Sequence, residues 1–168
     1  MLSIDEKRLK LRKAKREELD YVMETYTDAR SFEGCVWDEY YPNVEILLQD
    51  FESGSLYVYA IESKIIGAVS VVFDEDLESF DCWRVKDGKQ ISIVRVVIAR
   101  EFLGRGFGYK MVLAAVDMIK EMGYSAVRLL VSPKNKSAMS IYKRIGFEYY
   151  FIAEAHEEEF WLCEKVLN

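Results

Sequence analysis

The sequence is poor in the residues that staple or punctuate a chain: of 168 residues, only three are cysteine, two proline and one histidine. Cys35, Cys82 and Cys163 are widely spaced and odd in number. They imply neither a disulfide framework nor a metal-ligand cluster, so no metal site is expected and a reducing cytoplasm is the expected compartment. The scarcity of proline and the lack of low-complexity segments argue against disordered linkers. The lone histidine, His156, adjoins Glu157-Glu158-Glu159 and is expected on an exposed turn, which leaves the cysteines without the base a nucleophilic thiol needs. No apolar run approaches the length of a membrane span, and Met1-Leu2-Ser3-Ile4-Asp5-Glu6 lacks a leader's apolar core. Positive charge is also in deficit. A formal net charge of −6 repels phosphate backbones, so no nucleic-acid partner is expected. The basic stretch 7–16 reads as a charged strand and helix start.

What remains is an ordinary globular composition, 51% hydrophobic and 31% charged, long enough to bury a core as a single domain over 1–168. Weak alternation at 10–14 suggests a strand. Residues 16–30 read as a helix with Leu19, Val22, Met23 and Tyr26 on one face. A second helix follows Pro42, with Asn43 as N-cap, an apolar face of Val44, Leu47, Leu48 and Phe51, and Gly54 as its stop. Residues 56–61 and 65–73 read as a hairpin, 74–89 as a polar acidic loop, and 91–98 as a strand buried on both faces. A helix over 109–122 should bury Met111, Ala115, Met118, Ile119 and Met122 and stop at Gly123. Then come a buried strand at 126–131 and a helix at 135–145 that turns Ala138, Ile141, Tyr142 and Ile145 inward. A closing hairpin surrounds residues 156–159. The strands at 91–98 and 126–131 flank a helix and should pair parallel through a right-handed crossover. One mixed sheet with helices packed on it results.

Gly104, Gly106 and Gly108 alternate where the buried strand gives way to a helix. Free N–H groups and a partial positive charge at a helix start, with glycines that allow close approach, form a phosphate cradle; Arg105 adds a cation beside it. The turn lacks the Gly-Lys-Ser/Thr ending of a Walker loop, and it comes too late in the chain for a dinucleotide fold. The run Val96-Val97-Ile98-Ala99-Arg100-Glu101-Phe102-Leu103-Gly104-Arg105-Gly106-Phe107-Gly108 resembles the acetyl-CoA signature of the GNAT N-acetyltransferase superfamily. Asn135-Lys136-Ser137-Ala138-Met139-Ser140-Ile141-Tyr142-Lys143-Arg144-Ile145-Gly146-Phe147 resembles that family's second signature. The two stand at the family's spacing, and the order of elements agrees over nearly the whole chain.

The resemblance implies an α+β fold with a mixed, mostly antiparallel sheet flanked by helices on both faces. It implies acetyl transfer from acetyl-CoA to a primary amine by direct attack, in the cytoplasm. Val96, Val97, Ile98, Leu103, Gly104, Arg105, Gly106, Phe107, Gly108, Asn135, Ala138 and Tyr142 would bind the cofactor. A backbone N–H near Val96–Ile98 would meet the oxyanion, and Tyr142 would protonate the leaving thiolate. The acceptor would be a small-molecule amine or a peptide N-terminus, and a homodimer is common in the family. Two positions depart from the pattern: Leu103 replaces the usual Gln or Arg, and Arg100 a frequent proline. No carboxylate occupies the strand at 91–95 where a base often sits. Ser92 could order a water there, and Arg95 could meet an acidic group or pair with a core acid. Glu33, Asp74 and Asp81 lie outside the signatures and read as surface acids. Phe32, Trp37, Tyr40 and Tyr41 could wall an acceptor pocket or seal the first helices onto the sheet. The alternative to an enzyme is an acyl-CoA sensor on the same fold.

Overall fold

A computed structural model describes residues 3–168. Met1 and Leu2, the start of the segment read as no leader, lie outside the described residues. Seven strands form one sheet in the order β1-β2-β3-β4-β5-β7-β6. They are β1 (Lys10–Lys13), β2 (Leu56–Ile61), β3 (Lys64–Val72), β4 (Gln90–Ile98), β5 (Ala126–Val131), β6 (Glu148–Ala155) and β7 (Glu158–Val166). All neighbours are antiparallel except β4 and β5, which the crossover helix makes parallel. The architecture is the mixed, mostly antiparallel α+β sheet expected.

Alternation along each strand decides what each face meets. Leu56, Val58 and Ala60 of β2 face α1 (Leu19–Ala29) and α2 (Val44–Glu52), which bring Leu19, Val22, Tyr26, Ala29 and Leu47. Tyr57 and Tyr59 face the other way, toward α4 (Phe107–Glu121) and α5 (Lys136–Ile145). There Phe107, Met111, Val112, Ala115, Val116 and Ile119 pack with Tyr142 and Ile145. Each buried Val, Leu, Ile, Phe or Met among them contributes about 1.5–3 kcal/mol, so these two stripes hold the helices to the sheet.

Several local expectations shift. Asn43 caps α2 as expected, its Oδ1 accepting from Ile46 N at 3.0 Å. The buried face of that helix is Leu47 with Asp50, however, and Val44, in the first turn, is 54% exposed. Met122 is likewise exposed at the end of α4, whose start moves back to Phe107. Residues 74–89 are more than a solvated loop. Asp74 caps a short helix α3 (Glu75–Glu78), and Leu77 and Trp83 bury against Leu162 as a third cluster. The closing turn tightens to His156 and Glu157, both at positive φ, with β6 and β7 running right up to it.

Two features of β4 shape the middle of the sheet. First, its pairing with β5 is short: Gln90, Ile91 and Ser92 meet Ala126, Val127 and Arg128, and the ladder then stops. Beyond it the two strands diverge as a wedge. Second, β4 carries an extra residue. Ala68 and Ser70 of β3 are two positions apart, whereas their partners Val97 and Val94 are three apart (97 − 94). Arg95, at φ 51°, lies in the left-handed region, which one class of bulge uses. The insertion flips parity, so Ile93 and Ile98, five apart, both reach the α4 side while Val97 turns to α1.

Candidate active site

The glycine turn stands at the C-terminal end of β4, after a single 3-10 turn at Arg100–Phe102. Gly104 and Gly106 have φ of 72° and 82°, and a Cβ on either would meet nothing within 4 Å. Glycine is thus required by conformation and not by crowding. Gly106 is the N-cap of α4 and offers no capping side chain. The N–H groups of Gly104, Gly106, Phe107, Gly108 and Tyr109 make no hydrogen bond of good geometry among the described residues. Unpaired donors beside a positively polarised helix start have the chemistry that an anion cradle needs. Arg105 lies against the rings of Phe102 and Phe107, at 5.7 and 5.2 Å from their centroids. Leu103 is 44% exposed on the lip of the turn. Gly108 is the close-packed member, since a Cβ there would come within 3.0 Å of Ile141 Cδ1 on α5.

Past the bulge, Val96, Val97 and Ile98 present the β4 edge that β5 no longer covers. Their side chains pack into the two cores, so only the backbone faces the wedge for chemistry. Across the wedge, Asn135 caps α5, its Oδ1 accepting from Ala138 N at 3.1 Å. Asn135 and Ala138 thus meet in one capping bond at the start of α5. Tyr142 is 6% exposed and stacks edge-on to Phe147 at 5.7 Å. Its hydroxyl makes no hydrogen bond among the described residues. Burial first, then Tyr149 and Cys163, pushes its phenol above the ordinary tyrosine range. It stays a neutral proton donor.

Ser92 is buried at the closed end of the wedge. Of the surface acids, Glu33 is exposed, Asp74 is used in capping α3, and Asp81 is exposed near Lys86 at 3.6 Å. Phe32 and Trp37 seal the helices: Arg100 lies 5.0 Å over the Phe32 ring, and Trp37 packs edge-on to Tyr26 at 5.6 Å. Tyr40 and Tyr41 remain exposed. Arg100 also grips Asp28 through Nε and Nη2 and donates to Ser31, tying the end of α1 to the entry of the glycine turn.

Arg95 pairs with a core acid. Its Nε and Nη2 reach Asp50 Oδ2 and Oδ1 at 2.7 and 2.8 Å, and Nη1 donates to Tyr41. Burial would lower the guanidinium's pKa, but the bonds and charges of Asp50 and Tyr41 outweigh it and the value rises. Sequence reasoning missed Asp50, although a carboxylate one residue before Phe51 on an apolar stripe is a readable signal. It also missed the network at the foot of the wedge. There Arg128, 2% exposed, meets Glu164 at 3.2 Å, Glu78 at 2.6 Å and the Val85 carbonyl.

Comparison with known proteins identifies a family and a fold. Residues 19–147 match the model of the acetyltransferase (GNAT) family. An uncharacterized N-acetyltransferase of Methanocaldococcus jannaschii is 28% identical over 82% of this chain, and the match spans 60% of that relative's own length. A GNAT-family acetyltransferase from Streptococcus agalactiae superposes with a TM-score of 0.81 at 18% identity, covering 95% of this chain and 96% of that one. The yncA acetyltransferase of Salmonella typhimurium, solved with acetyl-CoA, superposes at 0.70 and 15% identity over 96% and 95% of the two chains.

Proposed function

This chain belongs to the GNAT acetyltransferase family, and we propose that it moves an acetyl group from acetyl-CoA to a primary amine. The observation that carries the reading is the row of N–H donors at Gly104, Gly106, Phe107, Gly108 and Tyr109 that find no partner among the described residues, beside a β4 edge that β5 leaves unpaired. Pyrophosphate fits such a cradle, with Arg105 at its side and Leu103 giving only its backbone. The Val96–Ile98 edge suits the pantetheine amides, which add to it as a strand would. Asn135 and Ala138 fix the start of α5, which brings Tyr142 to the same core.

Acetyl-CoA supplies an activated thioester. The chain's residues then have three tasks. A backbone N–H of 96–98 donates to the developing oxyanion. The amine nitrogen would add to the carbonyl carbon, the carbon–sulfur bond would break as the carbonyl re-forms, and Tyr142 would give its proton to the departing sulfur and regain one from water. The proton lost from the attacking nitrogen passes to water, for no carboxylate stands on β4 to receive it. The acceptor we propose is a small-molecule amine or a peptide N-terminus, met on the side of 31–42 and the β6–β7 hairpin. Residues 1–168 would act as one domain, in the cytoplasm, where Cys35, Cys82 and Cys163 stay free.

Thermal melting tests the binding. A ligand of the native state at a hundredfold excess over its Kd adds about 2.7 kcal/mol of stability, so acetyl-CoA should raise Tm by several degrees. A flat response at millimolar acetyl-CoA would refute the reading. Thiol release across a panel of amines then measures transfer.

A further inference from the structure

The segment between α1 and α2 touches both lips of the wedge. On the β4 lip, Tyr41 Oη accepts from Arg95 Nη1 at 3.0 Å. On the β5 lip, Gly34 packs against the turn that leads into α5. A Cβ at Gly34 would fall 2.5 Å from the Lys134 carbonyl oxygen and 2.8 Å from Asn135 Cα. Residues 34–41 therefore cross the open end of the wedge as a strap, with Tyr40 exposed upon it.

The β4 anchor of this strap is the bulge residue itself. Arg95 holds a left-handed backbone, and its guanidinium is shared between two elements, Asp50 on α2 and Tyr41 on the strap. Asp50 is 4% exposed and also accepts from Ser70 Oγ on β3 at 2.6 Å. The fork fixes the direction of the guanidinium, because a bidentate carboxylate leaves it one orientation. Whatever moves the bulge moves Tyr41, and the reverse holds equally.

We infer that Arg95 is a positioning residue that couples the acceptor-side strap to the β4 edge, so that acetyl-CoA seated on Val96–Ile98 orders residues 34–41. The inference rests on the proposed cofactor site and adds a consequence that site alone does not have.

Amide hydrogen exchange, followed by mass spectrometry on the intact chain with and without saturating acetyl-CoA, reads this without an acceptor. In the wild type, acetyl-CoA should slow exchange in both 94–98 and 34–41. Tyr41→Phe removes only the bond to Arg95, on a half-exposed side chain, and should leave protection at 94–98 in place. Protection at 34–41 should fall roughly tenfold, the worth of one hydrogen bond to a charged group. Arg95→Lys, which cannot fork to Asp50 and reach Tyr41 together, should uncouple the strap in the same way. Equal protection of 34–41 in the wild type and Tyr41→Phe would overturn the coupling, as would a wild-type strap that ignores acetyl-CoA while 94–98 responds. Protection of neither segment in the wild type would overturn the cofactor site and the coupling with it.

Discussion

Gly106→Ala separates what the glycine turn does for the fold from what it does for the cofactor. Gly106 has φ 82° and open space where a Cβ would go, so the change adds no clash. It forces an alanine into the left-handed region, at a cost of about 1–2 kcal/mol. For a domain of this size that amounts to a fall in Tm of roughly 2–8 °C. Gly88, in the segment between β3 and β4, supplies the control: its φ is 79° and its surroundings are equally open. Gly88→Ala should therefore lower Tm by a similar amount. The two variants should part at the cofactor. Relief of the strain at 106 rotates the peptide that presents the first N–H of α4. Each hydrogen bond lost to a charged group is worth about 1.5–3 kcal/mol, so acetyl-CoA affinity should fall roughly 10- to 100-fold. Titration calorimetry on both variants, below their melting range, measures it. If Gly106→Ala loses stability like Gly88→Ala yet binds acetyl-CoA as the wild type does, the donors at 106–109 are not the anion cradle.

Other perturbations follow from the same geometry. Tyr142→Phe keeps the ring that stacks on Phe147 and should bind acetyl-CoA within about twofold of wild type, while kcat in a thiol-release assay falls roughly 10²-fold or more; unchanged kcat would remove the phenol from the chemistry. Because burial raises that phenol, the wild-type kcat profile should climb with amine deprotonation and show no descending limb below about pH 10. Arg128→Met leaves Glu164, with no exposed surface, stripped of its cation, and should cost about 3–5 kcal/mol in urea unfolding, with acetyl-CoA affinity of the folded protein unaltered. Glu18 is held below the ordinary carboxylate range chiefly by Arg12, with burial opposing and the Lys15 N–H assisting. A lowered folded value lends stability that is complete above the unfolded value and fades as pH falls through the folded one. Glu18→Gln should therefore flatten the acid side of the stability profile, as read by melting between pH 7 and 3.

The elements legible in the sequence were those written in local pattern. The helix stripes of Leu19–Ala29 and Phe107–Glu121, the stops at Gly54 and Gly123, and the cap at Asn43 all depend on residues within a turn or two of each other. The glycine turn was legible for the same reason, since its φ values are carried by the glycines themselves. Arg95 was not. No residue type announces a bulge when a non-glycine takes φ 51°, and the register that reveals it lies on β3. Asp50 found its partner 45 positions away, and Glu78 and Glu164 meet at Arg128 across three elements. The acidic segment 74–89 read as solvated because its buried members, Leu77 and Trp83, are two residues among many charges, and the surface they cover on β7 comes from the far end of the chain.

These distant pairings explain how one sheet can be open and stable at once. A wedge between parallel strands exposes backbone donors, and its edges would tend to close or fray without constraint. Here the last paired rung joins Ser92 to Arg128. Arg128 is the residue that binds Glu164 on β7 and Glu78 at the end of α3, while Gln90 at the first rung donates to the same Glu78. The apex is thus clamped from both strands onto Glu78, by the Arg128 guanidinium on β5 and the Gln90 amide on β4. Above the apex, the bulge at Arg95 bends β4 away and is locked by Asp50, so the ladder cannot extend toward Val131 without breaking a bidentate pair. The closed end is held by buried Arg128 on Glu164 and Glu78, the divergence by half-buried Arg95 on Asp50, and the polar backbone between them is left for the ligand. An Arg128 variant should then fail by unfolding, whereas an Arg95 variant should fail by losing the alignment of the open end.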